Sequence, residues 1–227
     1  MTIDALRQPW RIRDAVVALF AGVVGAVIGT AIVGIDDITT RELFGVVVPA
    51  QMIATILAVV ILLPRRDPLP VRFELPDSMG LLVGAALQIG LSFVMIFLID
   101  AVFGGDAPTQ EIVEAAEDAL GAGEVGLVLL GAVALAPLAE ELVFRGVLLS
   151  ALRRRWNDRV AYWGSAAGFA LIHLLDPQAI LTVPVLFVVG LVLARQALDT
   201  GRLGKPIATH VGFNLTSVLA LLLAAGS

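Results

Sequence analysis

Six ionisable or amide side chains fall within stretches of the C-terminal half that are otherwise apolar enough for a lipid bilayer: Glu140, Glu141 and Arg145, then His173, then His210 with Asn214. His173 and His210 are the only histidines in the chain. Ionisable groups in hydrocarbon cost about 2.5–3.5 kcal/mol each even on lenient insertion scales, so such a set is expected to face a bundle interior and to be functional. A carboxylate with an imidazole can move a proton, and an imidazole with an amide can donate hydrogen bonds to developing negative charge. Those are the requirements of a hydrolytic site.

The spacing assigns tasks. Glu141 and Arg145 stand four apart with the acid first, the favoured order for an ion pair on one helix face. Pairing lets both enter a medium of low dielectric, so this pair reads as structural. Glu140 lies about 100° further round the same helix, away from Arg145, and is left available as a general base. Phe169 precedes His173 by one helical turn, on the same face. His210 and Asn214 are again four apart and can both donate toward one point, which suits an oxyanion stabiliser; a histidine there could equally ligate a metal. The plainer alternatives are a core histidine at 173 and helix-to-helix glue at 210 and 214, although interhelical side-chain bonds average only about 0.6 kcal/mol.

The elements that must carry these residues are membrane helices. Apolar residues make up 59% of the 227-residue chain, charged residues only 15%, and the mean hydropathy is +0.95. A soluble domain has roughly 45–50% apolar and 25% charged residues, so the expected class is an all-α polytopic membrane bundle in a single domain, 1–227. Windows of about 20 apolar residues give seven spans, near 15–35, 43–63, 79–103, 125–150, 160–175, 178–196 and 206–225. The fifth is short, closed by Asp158 and Arg159 on one side and by Asp176-Pro177 on the other. There is no cysteine, which excludes disulfides and thiolate metal sites.

Of the 15 basic residues, 13 fall in alternate segments: Arg7, Arg11 and Arg13; Arg65, Arg66 and Arg72; Arg153, Arg154, Arg155 and Arg159; Arg195, Arg202 and Lys205. By the positive-inside rule the N-terminus is expected in the cytoplasm and the C-terminus outside. The acidic loop at 104–124 has no basic residue and belongs outside; Thr109, with Ile112, Ala116 and Leu120 at four-residue spacing, suggests a short amphipathic helix there. Glu140 is about 20 Å along its helix from Arg153, whereas His210 is about 8 Å from Lys205. The groups reach one depth only if helices tilt or the cytoplasmic face is indented, so a cavity open to that side is expected.

Glu-Glu-x-x-x-Arg at 140–145, Phe-x-x-x-His at 169–173 and His-x-x-x-Asn at 210–214 resemble the three motifs of the CPBP intramembrane proteases, the CAAX prenyl protease and bacteriocin-processing family, also called the Abi family. The resemblance covers about residues 125–225. It implies peptide-bond hydrolysis within or beside the membrane, with Glu140 and His173 activating a water, His210 and Asn214 stabilising the oxyanion, and Glu141, Arg145 and Phe169 supporting them. Members are often labelled metalloproteases, and a metal-free water has also been proposed. Glu140, His173 and His210 would be an adequate ligand set for zinc or another divalent metal, yet no His-Glu-x-x-His motif is present.

The implied partner is a membrane-associated peptide or protein, prenylated in the best-known cases, met at the plasma membrane from the cytoplasmic side. Two other classes compete: a catalytically silent scaffold or bacteriocin self-immunity protein, and an ion-coupled transporter. No inverted repeat or matching pair of broken helices supports transport. No basic patch is left over for nucleic acid.

Overall fold

The computed structural model describes residues 9–35, 38–62, 71–103, 124–175 and 177–225, and among these there is no strand. Seven helices run in order: α1 (Ile12–Val33), α2 (Thr40–Leu62), α3 (Met79–Phe103), α4 (Val125–Arg155), α5 (Asp158–Ile172), α6 (Val183–Thr200) and α7 (Gly204–Ala225). All but α5 are long and apolar enough to cross a membrane. The chain is an all-α polytopic membrane bundle, as its composition requires. The amphipathic helix expected at 104–124 lies almost wholly outside the described residues.

The sixth expected span, 178–196, runs instead over Val183–Thr200, the fourth continues to Arg155, and the first and fifth differ for local reasons. α1 begins at Ile12 and stops before Gly34, whose φ of 100° lies in the region that favours glycine. α5 has 15 residues, about 22 Å against a hydrocarbon thickness of about 30 Å, and gives way to 3-10 turns at His173–Leu175 and Pro177–Leu181. Pro177 lacks the N–H that a continuing α-helix would offer to the carbonyl of residue 173. The helix therefore stops short of a full hydrocarbon thickness, and His173 stands at its tip.

α4 is the central element, with half of its apolar window buried against 11% for the third span. It twice switches from α to π register, at Leu129–Leu135 and at Leu142–Leu148, and these breaks bracket Glu140 and Glu141. Such π segments inside an α-helix are often found at functional sites.

α7 is held against α3 by backbone-to-backbone contact. A Cβ on Gly84 would collide with the carbonyl oxygen of Thr209, and one on Gly212 with that of Leu81. Small residues permit this approach, the usual device where lipid offers no hydrophobic force between helices. Gly84→Leu is expected to destabilise the protein by at least about 1–3 kcal/mol, read as a lower unfolding temperature in detergent. Gly90→Leu should change little, because nothing lies within 4 Å of the Cβ it would add.

Polar staples fix the helix ends. Arg202 grips Asp77, which is 1% exposed, through Nη2–Oδ1 at 2.9 Å and Nε–Oδ2 at 3.3 Å, tying the α6–α7 turn to the start of α3. Arg153 Nε donates to Asp158 Oδ1 at 2.6 Å across the α4–α5 turn, where Asn157 caps α5 by accepting from the N–H of Val160.

Candidate active site

The i, i+4 spacing on α4 produces the ion pair it calls for. Arg145 Nη1 donates to Glu141 Oε1 at 2.9 Å, and both side chains are wholly buried. Arg145 is held from two further directions: Nη2 donates to the carbonyl oxygen of Gly190 on α6 at 3.2 Å, and Cζ lies 4.5 Å from the centroid of Phe169 on α5. Gly190 permits a close approach of α5, since a Cβ there would stand about 3.0 Å from the Ala166 backbone. The guanidinium thus joins α4, α5 and α6.

Glu141 has a second partner that sequence spacing does not announce. His210 Nδ1 donates to Glu141 Oε1 at 3.1 Å, so one carboxylate oxygen holds both the cation and the imidazole. The opposite nitrogen, Nε2, lies 3.6 Å from Glu140 Oε2. The two adjacent glutamates therefore divide between the two faces of one ring. Glu141 is buried and fixes it, while Glu140, with 22% of its side chain exposed, opens onto a cavity.

At the tip of α5, His173 Nδ1 lies 2.8 Å from the carbonyl oxygen of Phe169. A carbonyl can only accept, so Nδ1 carries the proton and Nε2 of the neutral ring carries the lone pair. His173 lines the same cavity as Glu140. Phe169 packs edge-on against both imidazoles, with centroids 5.2 Å from His173 and 5.5 Å from His210, and against Phe144 at 5.6 Å. Ser165 Oγ donates to the carbonyl of Phe144 at 2.8 Å, a further tie between α5 and the π segment of α4.

Asn214 also lines the cavity, and one of its two amide hydrogens is engaged on α4. Its Nδ2 donates to the carbonyl of Ala132 at 2.7 Å. The cause lies in α4, where the N–H of Ala136 bonds five residues back to Gly131. In that register Pro137 would serve Ala132 but has no N–H, and the side chain of Asn214 takes its place. Asn214→Leu is expected to cost about 1–3 kcal/mol by orphaning this carbonyl, measurable as a lower unfolding temperature whether or not catalysis is assayed.

The cavity has a volume of about 510 Å³. Besides Glu140, His173 and Asn214 its walls are mainly apolar, with Phe44, Val48 and Met52 from α2, Leu91 and Met95 from α3, and Val185, Leu186 and Phe213 from the last two helices. It can hold an apolar segment with one end against the polar groups. Among the described residues no three His, Cys, Asp or Glu side chains come together as a metal-binding group. The zinc set anticipated from Glu140, His173 and His210 is not assembled as such.

Residues 123–216 match the family model described as Type II CAAX prenyl endopeptidase Rce1-like, in agreement with the resemblance of the three motifs. The matched stretch contains every side chain of the polar cluster. No curated protein and no solved structure matches the chain. The apolar helices and this match make the protein an integral membrane protein.

Proposed function

We propose that this chain, through its Rce1-like segment, is an intramembrane endopeptidase of the CAAX protease type. The observation that carries the reading is a partly exposed carboxylate, Glu140, that shares a membrane-embedded cavity with the tip histidine His173 and faces the clamped ring of His210.

In this account Glu140 removes a proton from a water that His173 Nε2 orients, and the resulting hydroxide adds to the scissile carbonyl. The oxyanion is received by an amide hydrogen of Asn214 and by His210 Nε2–H, the latter requiring a ring that carries both protons, with Nδ1–H on Glu141 and Nε2–H directed into the cavity. Glu140 then returns the proton to the leaving amine, so water is added across one C–N bond with no co-reactant. Glu141 and Arg145 touch no substrate. They fix the ring plane of His210, and the π breaks of α4 present the adjacent glutamates to separate partners.

The whole chain acts as one membrane domain whose catalytic core is residues 125–225. The distribution of arginines supports an N-terminus in the cytoplasm, a C-terminus outside and a site approached from the cytoplasmic side of the plasma membrane. The mainly apolar walls suit a membrane peptide, including one bearing an isoprenoid chain.

The test incubates the purified protein in nanodiscs with a panel of quenched membrane peptides, some farnesylated near the C-terminus. Cleavage by the wild type and none by Glu140→Gln/His173→Ala is expected. Uncut peptides across the panel would favour a silent scaffold.

A further inference from the structure

Resting on the endopeptidase reading, we infer that Gln51 on α2 and Gln88 on α3 form a subsite that hydrogen-bonds the peptide backbone of the substrate. Both helices lie outside the stretch that matches the family model.

Both glutamines line the same cavity as Glu140, His173 and Asn214, with Ser92 beside them. Both lie in membrane-spanning helices, are half-buried, and have unused hydrogen-bonding capacity. The Gln51 side-chain amide has no hydrogen-bond partner among the described residues. Its backbone carbonyl accepts from Thr55 Oγ1 at 2.9 Å. Gln88 Nε2 donates to Ser92 Oγ at 3.2 Å, and its carbonyl oxygen has no partner among the described residues.

An amide side chain inside a span is costly unless it is paired. A peptide cut in a membrane cavity has the complementary need. Its backbone must be unwound at the scissile bond, which strips the flanking N–H and C=O groups of their helical partners where lipid offers none. The other hydroxyls on the wall are already committed, with Thr182 Oγ1 donating to Ala179 and Ser217 Oγ to Phe213. A glutamine amide offers one acceptor and two donors, the pattern that matches a peptide unit. The two glutamines, with the Ser92 hydroxyl beside them, can thus hold an extended strand in the cavity that the proton-transfer groups line.

The experiment measures binding, so that it does not depend on turnover. Glu140→Gln protein in nanodiscs is titrated with fluorescent membrane peptides from the panel. Each peptide is also made as single-ester analogues in which one backbone N–H at a time is replaced by oxygen. One ester position is expected to weaken binding about fivefold to tenfold. Gln51→Met or Gln88→Met in the same background should weaken the parent peptide by a similar factor and abolish the effect of that ester. Methionine is close to glutamine in length and apolar, and unfolding temperatures would establish that the variants fold. Affinities unchanged by either Met substitution, ester effects that persist in both variants, or a panel in which no peptide binds would overturn the subsite. Binding of this pattern without cleavage by the wild type would defeat the protease reading alone, and cleavage with an unaltered KM in both Met variants would defeat the subsite alone.

Discussion

Glu140→Gln is expected to lower kcat by about 10²–10⁴-fold, the usual contribution of a positioned general base, while KM and the unfolding temperature stay near wild type. Glutamine keeps the shape and hydrogen-bonding reach of the side chain but cannot take a proton. Stability should survive because Glu140 is partly exposed and its side chain has no hydrogen bond among the described residues, with His210 Nε2 at 3.6 Å. The adjacent carboxylate should behave in the opposite way. Glu141→Gln weakens the contacts to Arg145 and His210 and should reduce stability and turnover together. Kinetics and thermal unfolding of the two variants side by side separate proton transfer from support. Equal turnover by Glu140→Gln and wild type would remove Glu140 from the chemistry.

Arg145→Met should destabilise the protein by about 3–5 kcal/mol, the typical consequence of leaving one partner of a buried pair uncompensated. Three contacts disappear together: the salt bridge to Glu141, the bond to the Gly190 carbonyl and the stacking on Phe169. Glu141→Met/Arg145→Met removes both charges and should recover most of that loss, since a buried pair replaced by apolar residues of similar volume is often neutral. Activity should not return with it, because His210 Nδ1 then has no carboxylate to fix its ring. Thermal unfolding of both variants in detergent, with turnover of any that fold, checks this. A double variant no more stable than the single one would contradict the assignment of the pair as mutually compensating.

What could be read from the sequence was whatever the helix repeat makes local. The four-residue step from Glu141 to Arg145 and the single turn from Phe169 to His173 required only helices, and both contacts are present. The contact between Glu141 and His210 spans 69 residues and depends on how α7 leans on α4, which no periodicity encodes. The role of Gly190 was hidden because it acts through its carbonyl oxygen. Pro137 lies in the sequence of α4, but a proline in a membrane span does not reveal that Ala132 loses its partner or that Asn214 replaces it. The shortness of α5 was legible from its flanking charges and Pro177. Gln51 and Gln88 belong to no motif in the sequence, and their common cavity with Glu140 required the fold.

The most direct test of the central claim is mass spectrometry of one membrane peptide incubated in ¹⁸O-labelled water with the wild-type protein in nanodiscs, and in parallel with Glu140→Gln. Two product peptides are expected from the wild type, with ¹⁸O in the new carboxylate, and intact peptide with the variant. Products that form equally with Glu140→Gln, or that carry no label from the water, would contradict it.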